Sequence, residues 1–541
     1  MGLFEVSPEG ALLANSRPAA NFVPQLVCVY WDAIRGNSVP PVALKIKFTL
    51  EGHADEQSII IQYQDLDKFN FESRFPGCIC ADSDGRSTHR KVIRYIREQL
   101  GNLSSFDVHG VYYPASGWYT HPSGMCYLSG GQVIGVPIER PYLTDRSVNN
   151  LHLASDTSLN ARLAVERLIQ LLQRMPPFIL PIYGFTLYAA LRSIIREEGL
   201  PTACVLYLVG NQGYGKTTAA KNLCTLYDDA SNRPADTFDA RSTEAAMVDA
   251  LAKARDRIIL LDDVCRSTST GNQRKRQNLA AYLTKAAANE TPLVRKRGKE
   301  TELVECTASL VITGEIPLES ASDLTRCVTV EVDQRLTTGN KSDRAVAASA
   351  LAGFLQWYSE NAKQERVRLR SDFAAFETCD RSHREERLQK SLWELRWAFG
   401  SFLRFAKMCE AVSDRAETQI IGILDRSLQM IFTRTLQRIN SLQINRLETV
   451  LIDGAKAHQF PCFEHNGCLC VQSHDLTEYL QRVYHRHDLS VKDVTEHLRR
   501  RNLLYMDKSG KTTRKVQGKR VLTIPLCVLQ EHYMSSHSIA K

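Results

Sequence analysis

The chain has 541 residues, 24% of them charged and 43% hydrophobic, which excludes wholesale disorder and leaves room for about three or four domains. A net charge of +8 permits a nucleic-acid partner without requiring one. Fifteen scattered cysteines and no signal-peptide pattern after Met1 point to a reduced, cytoplasmic setting, and the longest apolar run, Pro177 to Leu191, is too short and interrupted to cross a bilayer.

In chain order, residues 1 to 150 predict an independent α+β domain with no catalytic constellation. Val27 to Trp31, Val42 to Leu50 and Ser58 to Tyr63 read as strands, and His89 to Leu100 reads as a helix. Val111 to Tyr119 and Met125 to Ile134 read as a hairpin turning at Pro122-Ser123-Gly124. Its aromatic residues Tyr112, Tyr113, Trp118 and Tyr119 suit base stacking, although core packing is the plainer use. Arg90, Lys91, Arg94 and Arg97 share a helical face, either solvated or set against a duplex. A helical linker, residues 151 to 175, contains Leu159 to Gln173, and Pro176-Pro177 opens a module reaching about residue 370.

That module carries the chemistry. Residues 210 to 217, Gly-Asn-Gln-Gly-Tyr-Gly-Lys-Thr, follow the apolar run Val205 to Val209, giving the phosphate-loop pattern in its strand–loop–helix setting. Gly210, Asn211, Gln212, Gly213, Tyr214, Gly215, Lys216, Thr217 and Thr218 are the predicted nucleotide-binding residues. Lys216 is placed to reach the β- and γ-phosphates of ATP and Thr217 to ligate Mg²⁺. Ile258 to Leu261 form a second apolar strand ending in Asp262, a candidate Mg²⁺ partner, and Asp263, a candidate general base. A third strand, Leu310 to Ile312, ends in Thr313-Gly314-Glu315, with Thr313 the expected γ-phosphate sensor.

Two features bear cations. Pro292 to Glu305 read as two strands around a Gly-containing turn, with Arg295, Lys296, Arg297 and Lys299 near the tip. Such a hairpin suits a ring whose pore grips a phosphate backbone; a solvated charged hairpin is the competing account. Arg326 precedes the strand from Cys327 to Val332, where it either serves a neighbouring subunit's site as an arginine finger or merely solvates a strand end.

Past the module's helical lid, which includes Ala345 to Asn361 and begins near Arg344, a candidate second sensor, residues 371 to 455 predict a helical collar. Residues 456 to 541 read as a winged helix: a hairpin turning at Asn466-Gly467, helices at Asp475 to Tyr484 and Ser490 to Arg500, a strand at Leu503 to Met506, and a ribbon of Thr513 to Val516 with Arg520 to Ile524. Between 490 and 520, ten cations stand against three acidic residues. Arg499, Arg500, Lys511, Arg514 and Lys515 are the predicted DNA contacts there, although many winged helices serve only protein contacts. Cys462, His465, Cys468, Cys470 and His474 can be drawn as a zinc site, but a second Cys-x-x-Cys pair is missing and the Asn-Gly turn already explains the hairpin.

The ordered set of phosphate loop, Asp262-Asp263, basic hairpin, Thr313-Gly314-Glu315 and Arg326 resembles the AAA+ ATPases of the pre-sensor-hairpin group, which includes superfamily-3 and MCM-type helicases. It is most similar to the MCM-like helicases of bacterial mobile elements, the cassette-chromosome type. There a segment like Pro181 to Leu200 precedes the loop, and Gly117-Trp118 and Tyr127 to Gly131 have similar counterparts. The resemblance implies an α/β P-loop core, a homo-oligomer (a hexamer) threaded by single-stranded DNA, ATP-driven strand separation and replication of a mobile element. An ATP-dependent initiator or helicase loader, and a defence or regulatory ATPase switch, would keep the same nucleotide site.

Overall fold

The computed structural model describes residues 4–529 outside 37–38, 103–108, 122, 139–141, 146–149, 203, 266–269, 290–292, 298–299, 319, 337–340, 379–385, 445–446, 484–489, 501–502 and 507–510. It divides into two compact units. One comprises Met1–Cys265, Arg276–Pro317 and Arg326–Gln429; the other comprises Arg266–Lys275, Leu318–Thr325 and Met430–Lys541.

In the first unit, a mixed sheet runs in the order Tyr142–Thr144, His109–Tyr113, Gln25–Asp32, Ala43–Thr49, Glu56–Gln62. The helix His89–Gly101 lays Val92, Ile93 and Ile96 onto a core that includes Phe22, Leu44, Ile46, Phe48 and Phe71. The strands and helix expected here are present within about three residues at their ends. A preceding three-stranded meander, Phe4–Val6, Leu12–Ala14 and Arg17–Ala20, was not legible because each strand is only three or four residues long.

The expected hairpin of 111–119 with 125–134 is divided differently. Pro114 lacks an N–H and ends the first strand at Tyr113, which joins the mixed sheet beside Gln25–Asp32. Gly117–His121 then pairs with Gly124–Ser129, and that strand pairs with Gln132–Gly135. This meander packs against the segments that carry Ala190 and Asp256. Trp118 is fully buried, and its Nε1 donates to the Ala190 carbonyl at 2.7 Å. The Trp118 N–H donates to Asp256 Oδ2 at 3.0 Å, while Ser193 donates to the same carboxylate through its N–H (2.7 Å) and its hydroxyl (2.6 Å). The Tyr127 hydroxyl donates to the Asp256 carbonyl at 2.9 Å. Tyr113, Trp118 and Tyr119 are therefore core while Tyr112 is half-buried, and hydrogen bonds from Ser116, Trp118, Tyr127 and Gly135 cross the boundary expected at 150. For the Trp118 N–H the reason is that the buried Asp256 carboxylate must collect donors from whatever segments surround it. Asp256→Ala strands three donors, so we expect a loss of about 2–4 kcal/mol, read by urea unfolding followed through Trp fluorescence. An unchanged urea midpoint would show the junction to be dispensable.

The core of this unit that carries residues 210–217 is a parallel sheet of β1 (Val205–Gly210), β2 (Thr237–Asp239), β3 (Ile258–Val264), β4 (Ser309–Gly314) and β5 (Cys327–Val332), in the order β2-β3-β4-β1-β5. Val205 to Leu208, Ile258 to Leu261 and Leu310 to Ile312 are buried, as covered parallel strands require. Because β4 lies between β1 and β3, the sensor strand is hydrogen-bonded to both the loop strand and the acidic strand. Its helices include α1 (Ile179–Glu197), α2 (Lys216–Leu223), α3 (Thr270–Ala288, of which residues 270–275 fall in the second unit), α4 (Lys341–Glu377) and α5 (Glu386–Met408).

Two expectations need correction. The aromatic stripe of α5 is core, as read, but it does not belong to a separate collar: Tyr183 of α1 meets Phe402 with ring centroids 5.7 Å apart, and Phe354 of α4 meets Phe402 at 5.8 Å. Apart from Ser193, Ile179 to Ile195 of α1 are buried, so that helix must be enclosed on all sides and α5 supplies one wall. Arg344, expected as a second sensor, is buried and donates to Asp228 Oδ1 (2.6 Å) and to the carbonyls of Thr225 (2.9 Å) and Tyr227 (2.8 Å). Its fork is spent tying α4 to the chain after α2.

In the second unit, helices Leu447–Lys456, Ser473–Val483 and Val491–Arg500 accompany an antiparallel sheet ordered Cys462–His465, Cys468–Val471, Lys519–Pro525, Thr513–Val516. Leu451, Leu476, Leu498, Leu522 and Ile524 lie in its core. Asn466 and Gly467 adopt φ of 50° and 69°, the left-handed pair that the Asn-Gly turn predicts. Ser490 Oγ accepts the Asp493 N–H at 3.2 Å, capping the helix it precedes. Residues 503–506 form no strand; Tyr505 donates its N–H to the Thr523 carbonyl.

Candidate active site

The C-terminal edge of the parallel sheet gathers the predicted nucleotide residues. Gly213 and Gly215 hold φ of 78° and 82°, a left-handed conformation that side chains resist, and this lets the loop curl back before α2 starts at Lys216. Leu336, in the chain after β5, donates its N–H to the Tyr214 carbonyl at 3.0 Å and supports the loop from behind. Lys216 is 8% exposed, and its Nζ donates to the carbonyls of Gly210 (2.9 Å) and Asn211 (2.7 Å). Burial pulls the Lys216 ammonium below the ordinary lysine value, against the upward pull of Glu315, Asp263 and Asp262.

Asp262 is the meeting point. Its Oδ1 accepts the Thr217 hydroxyl at 2.7 Å and the Thr313 hydroxyl at 2.5 Å. Loop, acidic strand and sensor strand thus converge on a single carboxylate oxygen. The Thr313 Oγ1 in turn accepts the Asp263 N–H at 3.2 Å. Between Leu261 and Val264 the pairing of β3 with β4 shifts register, and Asp263 sits at φ 67°. A non-glycine residue pays roughly 1–3 kcal/mol for such a conformation, and strain of this kind concentrates at functional sites. The irregularity takes Asp263 out of the alternation that would otherwise send adjacent carboxylates to opposite faces.

Three residues beside the Asp262-Asp263 pair, Cys265, Arg276 and Asp239, escaped sequence reasoning. The Cys265 thiol donates to Asp263 Oδ2 at 3.5 Å, and Arg276 of α3 donates to Cys265 Sγ. Burial and the Asp263 charge push the Cys265 thiol up, so it stands as the protonated donor. Asp239, in register with Asp262, is held by Arg241 through Nε (2.9 Å) and Nη2 (3.0 Å). Only its place at the end of a short strand could have signalled Asp239.

The hydroxyl of Thr217 and the carboxylate of Asp262 form an all-oxygen donor set beside a phosphate loop, which fits a hard cation such as Mg²⁺. Thr218 lies in the first turn of α2, and the residues from Gly210 to Gly215 form the loop itself.

Arg326 lies at the opposite edge of the sheet. Its carbonyl accepts the Val205 N–H at 3.1 Å, at the start of β1, whereas the loop leaves from Gly210 at the end. Five residue steps at about 3.3 Å place it roughly 16 Å from its own loop. Its Nε donates to Asn289 Oδ1 at 3.4 Å.

The basic hairpin is present as Leu293–Arg297 paired antiparallel with Glu300–Val304. The register sets Arg295 opposite Glu302, Lys296 opposite Thr301 and Arg297 opposite Glu300. Lys299 lies outside the described residues. In the second unit Arg499, Lys511 and Lys515 are exposed, and Arg500 ends its helix. Arg514 is half-buried and stacks over the Tyr505 ring at 4.7 Å, so its guanidinium is partly engaged within the fold. No helix among the described residues is long and apolar enough to cross a membrane.

The mixed α/β fold is that of a solved helicase. The structure titled SCCmec type IV Cch, active helicase, aligns with a TM-score of 0.56 and 14% identity, over 98% of this chain and 99% of that one. A structure of JCV helicase with a bound acetamide compound aligns at a TM-score of only 0.20 and 11% identity, over 46% of this chain and 65% of that one, and carries no weight. No protein-family model and no curated protein matches the chain.

Proposed function

We propose that this chain is an AAA+ ATPase that assembles into a ring, a hexamer, and translocates on DNA as a helicase serving a mobile genetic element. The observation that carries the reading is the convergence of Thr217 and Thr313 on Asp262 beside the Lys216 loop. Such a cluster links phosphate binding, cation binding and γ-phosphate sensing within a few ångströms. The fold shared with the cassette helicase supports the remainder.

In this reading Lys216 exchanges its loop carbonyls for the β- and γ-phosphate oxygens of ATP. Mg²⁺, held through Thr217 and Asp262, would neutralise charge on the phosphates. Asp263 accepts a proton from the attacking water as the γ-phosphorus–oxygen bond to ADP breaks, and Thr313 orients the Asp263 backbone and reports the γ-phosphate. Arg326 serves a neighbour's nucleotide. The hairpin grips single-stranded DNA, and the C-terminal unit, read as a winged helix, meets duplex through Arg499, Arg500, Lys511, Arg514 and Lys515. A forked-duplex unwinding assay, run on a sample sized with an ATP analogue present, tests this directly. A monomer that unwinds nothing sinks it.

In the register of the described strands Lys296 is paired with an uncharged residue, Thr301, whereas Arg295 and Arg297 are paired with glutamates. Lys296→Ala with Arg297→Ala should therefore reduce DNA-stimulated hydrolysis by about tenfold or more and flatten its salt dependence. Basal turnover should hold. Unwinding that survives the pair would remove the hairpin from the mechanism.

A further inference from the structure

A buried guanidinium joins the two roots of the basic hairpin. Arg192 lies on α1 and is 6% exposed. Its Nη2 donates to the Ala287 carbonyl at 2.6 Å and to the Thr202 carbonyl at 3.4 Å, and its Nη1 donates to the Ala308 carbonyl. Ala287 is the penultimate residue of α3, where the chain departs for the hairpin, and Ala308 immediately precedes β4, where it returns. One planar fork therefore bridges the outgoing and incoming chain.

The chemistry favours this use. The last carbonyls of a helix have no partners within it and carry the negative end of its dipole, so a cation at Ala287 is doubly suited. A lysine could not span three carbonyls with one rigid plane. One turn further along α1, Arg196 Nη1 approaches Glu305 Oε2 at 3.7 Å, on the returning root. Between them Ser193 holds Asp256, two residues before β3 begins. The span 192–196 of α1 thus touches both hairpin roots and the base of the acidic strand. The returning root is further tied by the N–H groups of Thr307 and Ala308 to the Leu251 carbonyl, and by Ser309 N–H to the Arg257 carbonyl.

We propose that Arg192 is a positioning residue that couples the hairpin to the nucleotide site by fixing both of its roots on α1. The functional consequence rests on the helicase reading; the anchoring does not. Displacement of the acidic strand passes through Asp256 and Ser193 into α1, and α1 carries the roots with it.

The test uses full-length protein with Arg192→Lys, which keeps the charge and loses the fork. Basal hydrolysis and the KM for ATP should stay within about twofold of wild type, while stimulation by a single-stranded oligonucleotide falls by about tenfold or more. Hydrogen exchange of the amides at 307–309 should quicken by about fivefold or more while the rest of the core is unchanged. Basal and stimulated rates falling in proportion would overturn the coupling, because a merely structural loss leaves their ratio alone. Unchanged exchange at 307–309 would overturn the anchoring. If wild type shows no stimulation by DNA, the helicase reading fails while exchange still judges the anchor. If Arg192→Lys does not fold, the exposed pair decides. Arg196→Glu should quicken exchange at 307–309 and adding Glu305→Arg should restore it, whereas exchange insensitive to both overturns the proposal.

Discussion

Replacing Asp262 by Asn should leave ATP bound and lower kcat by about 10³-fold, roughly 4 kcal/mol of transition-state stabilisation. The substitution is chosen for what it keeps. An amide oxygen can still accept from the Thr217 and Thr313 hydroxyls, which lie 2.7 and 2.5 Å from Oδ1, so the three-strand junction stays assembled. What disappears is the negative charge at the carboxylate that accepts from both Thr217 and Thr313. Nucleotide affinity, read with a fluorescent analogue, should then change only severalfold, because the loop and Lys216 remain. Asp263→Asn should resemble it in rate but not in cause, losing proton acceptance rather than cation charge. Thr313→Val separates the two by removing the hydroxyl that donates to Asp262 and accepts the strained Asp263 N–H. A fall of about ten- to a hundredfold is expected there, intermediate because geometry is loosened while both charges survive. An Asp262→Asn enzyme that still turns over within tenfold of wild type would detach this carboxylate from the chemistry.

Much of that site was legible because its determinants are local. A phosphate loop needs glycines where φ is positive, a buried parallel strand needs an apolar run, and the two predict each other at short range: Gly213, Gly215 and Ile258 to Leu261 all follow these rules. The hairpin at 293–304 and the Asn466-Gly467 turn were legible for the same reason. What stayed hidden depends on distant partners. Nothing adjacent to Arg344 says that its fork is spent on Asp228, and nothing beside Trp118 says that its indole will reach Ala190. The helical period of α5 gave its apolar face correctly, yet periodicity carries no information about which helix covers that face. Asp263 is a subtler case. Its identity was visible, but the register shift that re-aims it arises from pairing with β4 and has no counterpart in the order of residues.

Arg326 offers the sharpest test of assembly. Its carbonyl pairs at the start of β1, and roughly 16 Å of strand separate it from the loop at the other end, so in the proposed reading it cannot serve a nucleotide held by its own loop. The proposed ring, if its contacts are head-to-tail, would bring the foot of one sheet to the top of the next, the heterologous kind of contact that closed cyclic assemblies use. Arg326→Ala should therefore lower hydrolysis by about 10³-fold or more, the usual effect of losing an arginine finger. Lys216→Ala should be dead as well, for a different reason. Each variant keeps what the other lacks. Mixed in equal amounts with subunit exchange verified, a random ring pairs an intact loop with an intact neighbouring arginine at about a quarter of its interfaces. Basal hydrolysis, measured without DNA, should reappear at about that fraction of wild type. Two dead variants that exchange subunits freely and recover nothing would leave Arg326 as a strand-end residue paired with Asn289, and the ring would lose its reason to form around the nucleotide.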